Sequence, residues 1–63
     1  MTVHDEVILH RDLTGVITRN HAGEYVVWLY QRFGSRRAML RTHDLNEARR
    51  YLRDAAAAAD TGF

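Results

Sequence analysis

Cysteine is absent from this 63-residue chain, and with it any disulfide and the commonest zinc ligand. A cysteine-free composition fits a reducing compartment, so a cytoplasmic location is expected. Proline is absent too, and neither a linker nor an internal repeat divides the sequence. No apolar run approaches the roughly 20 residues of a membrane span, and the first residues lack the apolar core of a signal peptide. A soluble, unprocessed protein with no membrane partner is the expectation. Lysine is also missing: all nine cationic residues are arginine. GC-rich coding produces that bias as readily as selection for bidentate guanidinium contacts does.

Chemistry-bearing groups are equally scarce. Serine occurs once, at Ser35 in a turn-like stretch, and Thr2, Thr14, Thr18, Thr42 and Thr61 have no base paired with them. The single glycines of "HAG" and "FGS" make no phosphate loop. His4, His10, His21 and His43 show no paired metal spacing. His4 and His10 can share a strand face near Asp5 or Asp12, and His43 reads as a polar residue at a helix entrance. So short a chain has little room for a pocket of about 300–1,000 Å³. No enzyme, metal, cofactor or small-molecule substrate is expected.

What remains is room for one domain, residues 1–63, with one modest core. A chain of this size buries only about 60% of its unfolded surface and is marginal alone, so self-association into a homo-oligomer is expected. The net charge of +1 and the pI near 8.3 are only weakly basic. A dedicated nucleic-acid-binding domain often exceeds a pI of about 9, so the distribution of charge says more than its sum.

The clearest element is a C-terminal helix over about residues 45–59. Asp44 and Glu47 have capping-box spacing, and Leu45, Ala48, Tyr51, Leu52, Ala55, Ala56 and Ala59 form one apolar stripe. Arg49, Arg50 and Arg53 lie off the stripe as a solvated face, and Gly62 is a plausible stop. The "AAAAA" tract suits either close approach to a sheet or an exposed end. Upstream, "GVITRN" and "EYVVWLY" flank the turn-rich "NHAG", while "YVVWLYQR" and "RRAMLRT" flank "FGSR". The fold class is therefore α+β, a three-stranded antiparallel sheet packed on one C-terminal helix. "VHDEVILHRDL" is ambiguous: Thr2, Asp5 and Glu6 suit a helix start, whereas Val7, Ile8 and Leu9 favour a fourth, N-terminal strand, the reading adopted here.

Alternation along the strands then sorts the side chains. A turn at Phe33 to Arg36 pairs Arg32 with Arg37, Tyr30 with Met39 and Trp28 with Arg41. It sets Leu29 against Leu40 and Val27 against Thr42 on the other face. In the first hairpin Arg19 opposes Glu24 and Ile17 opposes Val26. The helix is expected on Val16, Val27, Leu29, Ala38 and Leu40. That leaves Arg19, Trp28, Tyr30, Arg32, Arg37, Met39 and Arg41 on an uncovered face, and large apolar groups among arginines are what contact surfaces favour. In the alternative arrangement the N-terminal segment folds over Trp28 with Val7 and Leu9, and Trp28 with Arg41 forms an internal cation–π pair of about 0.5–1 kcal/mol.

The order of hairpin, glycine turn, basic strand, threonine and a helix beginning "LNEARRYL" resembles the integrase arm-type and AP2-like DNA-binding domains over residues 15–58. Tyr25, Trp28, Gly34, Arg37, Arg41, Glu47-Ala48 and Tyr51-Leu52 carry the likeness. Glu47 follows Thr42 by five residues where those families place it at three. The resemblance implies a sheet lying in the major groove with the helix bracing its back. Arg32, Arg37 and Arg41 would then meet phosphates or guanine edges, Arg19 phosphate, and Trp28 and Tyr30 sugars or thymine methyls. Two readings follow: a non-enzymatic module whose partner is DNA, or one whose Trp28 face meets a protein partner or a second copy.

Overall fold

The computed structural model describes residues 6–60. The readings placed on Thr2, Val3, His4, Asp5, Thr61 and Gly62 lie outside them. Four strands, β1 (Val7–Arg11), β2 (Gly15–Arg19), β3 (Tyr25–Tyr30) and β4 (Arg36–Thr42), form an antiparallel meander in the order β1-β2-β3-β4. Helix α1 (Leu45–Asp60) then crosses one face of β2, β3 and β4. Val7, Ile8 and Leu9 thus do form the fourth strand. It extends the sheet at an edge and does not fold over it, and all five of its residues remain exposed.

The helix begins where its cap says it should. Asp44 Oδ1 accepts from the Asn46 and Glu47 backbone N–H groups at 2.9 and 3.4 Å, satisfying two donors that the first turn leaves open. Glu47 does not complete the box by reaching back to Asp44 N–H. Its carboxylate takes the Thr42 hydroxyl, and Thr42 Oγ1 in turn accepts from Asp44 N–H at 3.0 Å. This relay fixes the exit from β4 to the entry of α1. Asp44→Ala removes the cap acceptor and leaves the backbone N–H that the relay uses; the expected cost is about 1 kcal/mol, read as a melting point lower by about 4–8 °C. A melting point unchanged within error would discard the cap as a stabilising feature.

One side of the sheet carries the main core: Ile17, Val27, Ala48 and Leu52 are buried together, with Tyr25, Leu29, Leu40, Leu45 and Tyr51 packed around them. The two alternatives for the alanine tract divide along its length. Ala55 and Ala56 are half-buried, whereas Ala57, Ala58 and Ala59 are exposed.

Both hairpin registers differ from the sequence reading: each loop is a residue shorter, and the second also begins a residue earlier. Asn20 N–H donates to Glu24 O at 2.9 Å and closes a loop of only His21, Ala22 and Gly23. Asn20 Oδ1 accepts from the Ala22 and Glu24 N–H groups, its Nδ2 donates to Glu24 Oε1, and Gly23 supplies the left-handed residue such loops need, at φ 83°. Arg19 therefore pairs with Tyr25 and Ile17 with Val27, not with Glu24 and Val26. A one-residue slip exchanges faces, so Ile17 moves into the core and Val16 to the far side.

At the other turn, Gln31 N–H donates to Ser35 O at 2.7 Å around Arg32, Phe33 and Gly34. Tyr30 then meets Arg36, Leu29 meets Arg37 and Trp28 meets Ala38. An irregularity at Met39 shifts the ladder, so that Val27 meets Leu40, Val26 meets Arg41 and Tyr25 meets Thr42. The expected pairs Arg32–Arg37, Tyr30–Met39, Trp28–Arg41, Leu29–Leu40 and Val27–Thr42 are all replaced. Even so, Leu40 faces the helix and Arg41 faces away, because the extra residue restores the alternation.

Candidate functional site: the sheet face opposite the helix

The face turned away from α1 is built by every second residue of the central strands. β2 contributes Val16 and Thr18, β3 contributes Val26, Trp28 and Tyr30, and β4 contributes Arg36, Ala38 and Arg41. Ile8 and Arg11 extend it onto β1 through their pairing with Thr18 and Val16. Val16, Thr18 and Val26 are buried although no helix lies over them.

Trp28 lies against two of the three. It stands directly opposite Val16, and its indole N–H donates to Thr18 Oγ1 at 3.0 Å, which leaves the ring half-buried across β2. The Arg36 guanidinium lies over the ring, 4.3 Å from its centroid, in cation–π contact. Arg36 Nη2 also donates to Glu6 Oε1 at 3.2 Å. A diagonal of Glu6, Arg36, Trp28 and Thr18 thus crosses the sheet. The cation–π partner is Arg36, where the alternation in the sequence pointed to Arg41. The sequence pattern sets Arg36 in the turn, and the signal that places it on the strand is the length of the loop.

Of the expected contact residues, the fold brings together Trp28, Tyr30 and Arg41. Arg19 and Arg37 pair with Tyr25 and Leu29, residues that pack on the helix side, so both belong to that side. Arg32 sits in the β3–β4 turn, and Met39, 42% exposed, sits at the ladder irregularity. The open face gains Arg11 and Arg36 in their place. Its cations are Arg11, Arg36 and Arg41, and Glu6 is the acid beside them.

Two further features lie nearby. The β1–β2 turn is tied by Asp12: Oδ1 accepts from Thr14 and Gly15 N–H at 2.8 and 3.1 Å, and Oδ2 meets His10 Nε2 at 3.1 Å. Partial burial pushes the Asp12 carboxyl up. The hydrogen bonds from His10, Gly15 and Thr14, with the charge of His10, outweigh that and hold it below the ordinary aspartate range. Between this turn and α1 lies an open groove of about 520 Å³, walled by His10 and Asp12 on one side and Arg49 and Arg53 on the other, floored by Ile17 and Leu52. It exists because α1 leaves β1 uncovered, which corrects the expectation of little room for a pocket. Among the described residues, no helix is long and apolar enough to cross a membrane, and no three His, Asp or Glu side chains converge as a metal site would require.

Comparison of the chain with protein-family models, curated proteins and solved structures gives no match to any of them.

Proposed function

We propose that this protein is a non-enzymatic binding module that lays the sheet face opposite α1 against duplex DNA. The observation that carries the reading is the Trp28 diagonal. A half-buried indole, capped by a guanidinium and flanked by Arg11 and Arg41, makes a flat, cationic surface of aromatic and arginine groups. Phosphate contacts from arginines position a protein on a duplex, and sheets are among the elements that enter a groove. Glu6 sets a limit on the number of contacts. While it holds Arg36 it competes with phosphate, so Arg36 engages DNA by exchanging one anion for another.

Salt dependence tests this reading. With Arg11, Arg36 and Arg41 each neutralising one phosphate, log K against log salt is expected to fall with a slope of about −2.7. Arg41→Ala is expected to make that slope shallower by about 1, and Arg50→Ala, on the helix exterior, to leave it unchanged. Fluorescence anisotropy of a labelled mixed-sequence duplex gives both numbers.

The rival reading, a protein partner or a second copy, is favoured by one observation: β1 exposes Val7, Ile8 and Leu9 along an outer sheet edge. Sedimentation of the free protein belongs beside the salt titration. A tight dimer that ignores DNA at low salt would replace the DNA reading with this one.

A further inference from the structure

The β3–β4 turn holds a residue that neither propensity nor packing explains. Phe33 has φ 65° and ψ 24°, in the left-handed region, and Gly34 follows it at φ 80°. Glycine or asparagine enters that region at little cost, whereas a bulky side chain there is strained. Strain in a core is offset by packing, but the Phe33 side chain is 101% exposed. The residue works against the free protein twice, through its backbone and through the apolar surface it leaves in water. Backbone outliers of this kind gather where a ligand is met.

Its surroundings indicate what that ligand is. In an antiparallel meander the β1–β2 and β3–β4 turns fall at the same end of the sheet. Leu13, at the tip of the first, is 99% exposed, and Tyr30, whose N–H donates to Thr14 O at 3.0 Å, stands between them. Arg32, Arg36 and Arg37 flank the phenyl ring in sequence. Asp12 is the only acid in either turn, and both of its oxygens are committed to hydrogen bonds. The tip exposes two large apolar side chains with arginines beside them in the chain, and it suits a polyanion that contains apolar slots. Arg36 belongs at once to the foot of this turn and to the sheet face, so tip and face meet the same partner.

We infer that Phe33 is a wedge that enters the base stack of the duplex gripped by the sheet face, prying one step open. The inference rests on the DNA reading above and adds to it a mechanism: apolar side chains inserted between base steps unstack and kink the helix. The left-handed backbone serves this by holding the ring out from the turn. Steps that are already weakly stacked are the preferred targets, since opening them costs least.

The test uses two otherwise identical labelled duplexes, one fully paired and one carrying a mismatched step. Wild-type protein is expected to bind the mismatched duplex about tenfold more tightly or better, because part of the unstacking is already done. Phe33→Gly is expected to bind both duplexes equally, with near wild-type affinity for the paired one. Glycine is at ease at this φ, so that variant melts at or above the wild-type temperature and cannot fail for want of folding. Equal wild-type affinity for the two duplexes, or a preference that survives Phe33→Gly, would overturn the wedge and leave the sheet-face reading standing. No binding to either duplex would remove both. Binding to anionic phospholipid vesicles that depends on Phe33, without mismatch preference, would reassign the tip to a lipid surface.

Discussion

Gly15→Ala is expected to leave most of the protein unfolded well below the wild-type melting temperature. A Cβ built on Gly15 falls 2.1 Å from the Trp28 carbonyl oxygen and 3.1 Å from Leu29 Cδ2. The first of these is backbone in the neighbouring strand and has no rotamer to yield. Gly15 cannot retreat either. Its N–H donates to Asp12 Oδ1, its carbonyl accepts from Asp12 N–H at 2.9 Å, and the adjoining Thr14 carbonyl accepts from Tyr30 N–H. Relief therefore means parting β2 from β3, the two central strands. Overpacking costs about 1–3 kcal/mol where side chains give way, and here the obstacle is main chain, so about 3 kcal/mol or more is expected. Domains hold about 0.05–0.15 kcal/mol per residue, which leaves a chain this short little in reserve. Circular dichroism melts would register the change as a melting point lower by at least about 12 °C. A shift of only a few degrees would mean that the strands are not packed as described.

Trp28→Ala has the second largest expected effect, about 3 kcal/mol, at the low end for loss of a large aromatic because the ring is only half-buried. Three losses combine. Thr18 Oγ1, in a fully buried residue, loses its donor; Val16 loses the ring opposite it; Arg36 loses its seat while still tied to Glu6. Trp28→Phe separates these effects. It retains an apolar ring beneath Arg36 but leaves Thr18 without the indole N–H, for about 1–2 kcal/mol. Urea denaturation of the two variants gives the comparison. Equal destabilisation would assign the whole effect to the hydrogen bond, and less than about 1 kcal/mol for Trp28→Ala would remove the indole from the structural account.

These two residues also mark what could be read in advance. The helix was legible from Asp44 to the alanines, because a cap and a repeat of three and four residues are local signals. The strands were legible too, as runs of Val, Ile, Leu and Tyr between turn residues. Loop length was not. The stretches "NHAG" and "FGSR" look like four-residue turns, yet the closing pairs are Asn20 with Glu24 and Gln31 with Ser35. A three-residue turn that places phenylalanine in the left-handed region is what turn chemistry advises against, so the second turn was set too late in the chain. Nothing in "RRAML" announces the irregularity at Met39. Trp28, Tyr30 and Arg41 remained together because the compensating shift restored their alternation. Arg36 took the place given to Arg37 because both lie between the turn and Met39, where the slip is not yet compensated. The close approach at Gly15 is likewise a product of register, invisible until the partner strand is aligned.

The burial of Trp28 refines the picture of an adhesive face. The ring is neither sealed inside the protein nor bare. Arg36 covers it, and Glu6 restrains Arg36. The face thus presents guanidinium over indole, with Arg41 and Arg11 to either side.

Chemical-shift mapping on nitrogen-labelled protein tests most directly whether that surface is where a duplex binds. Titration at low salt is expected to move the Trp28 indole N–H together with the Tyr30, Arg36, Ala38 and Arg41 amides, while the amides of α1 around Arg49, Arg50 and Arg53 stay in place. Shifts confined to those helix arginines, with the indole unmoved, would put the contact on the opposite side of the molecule and contradict the account.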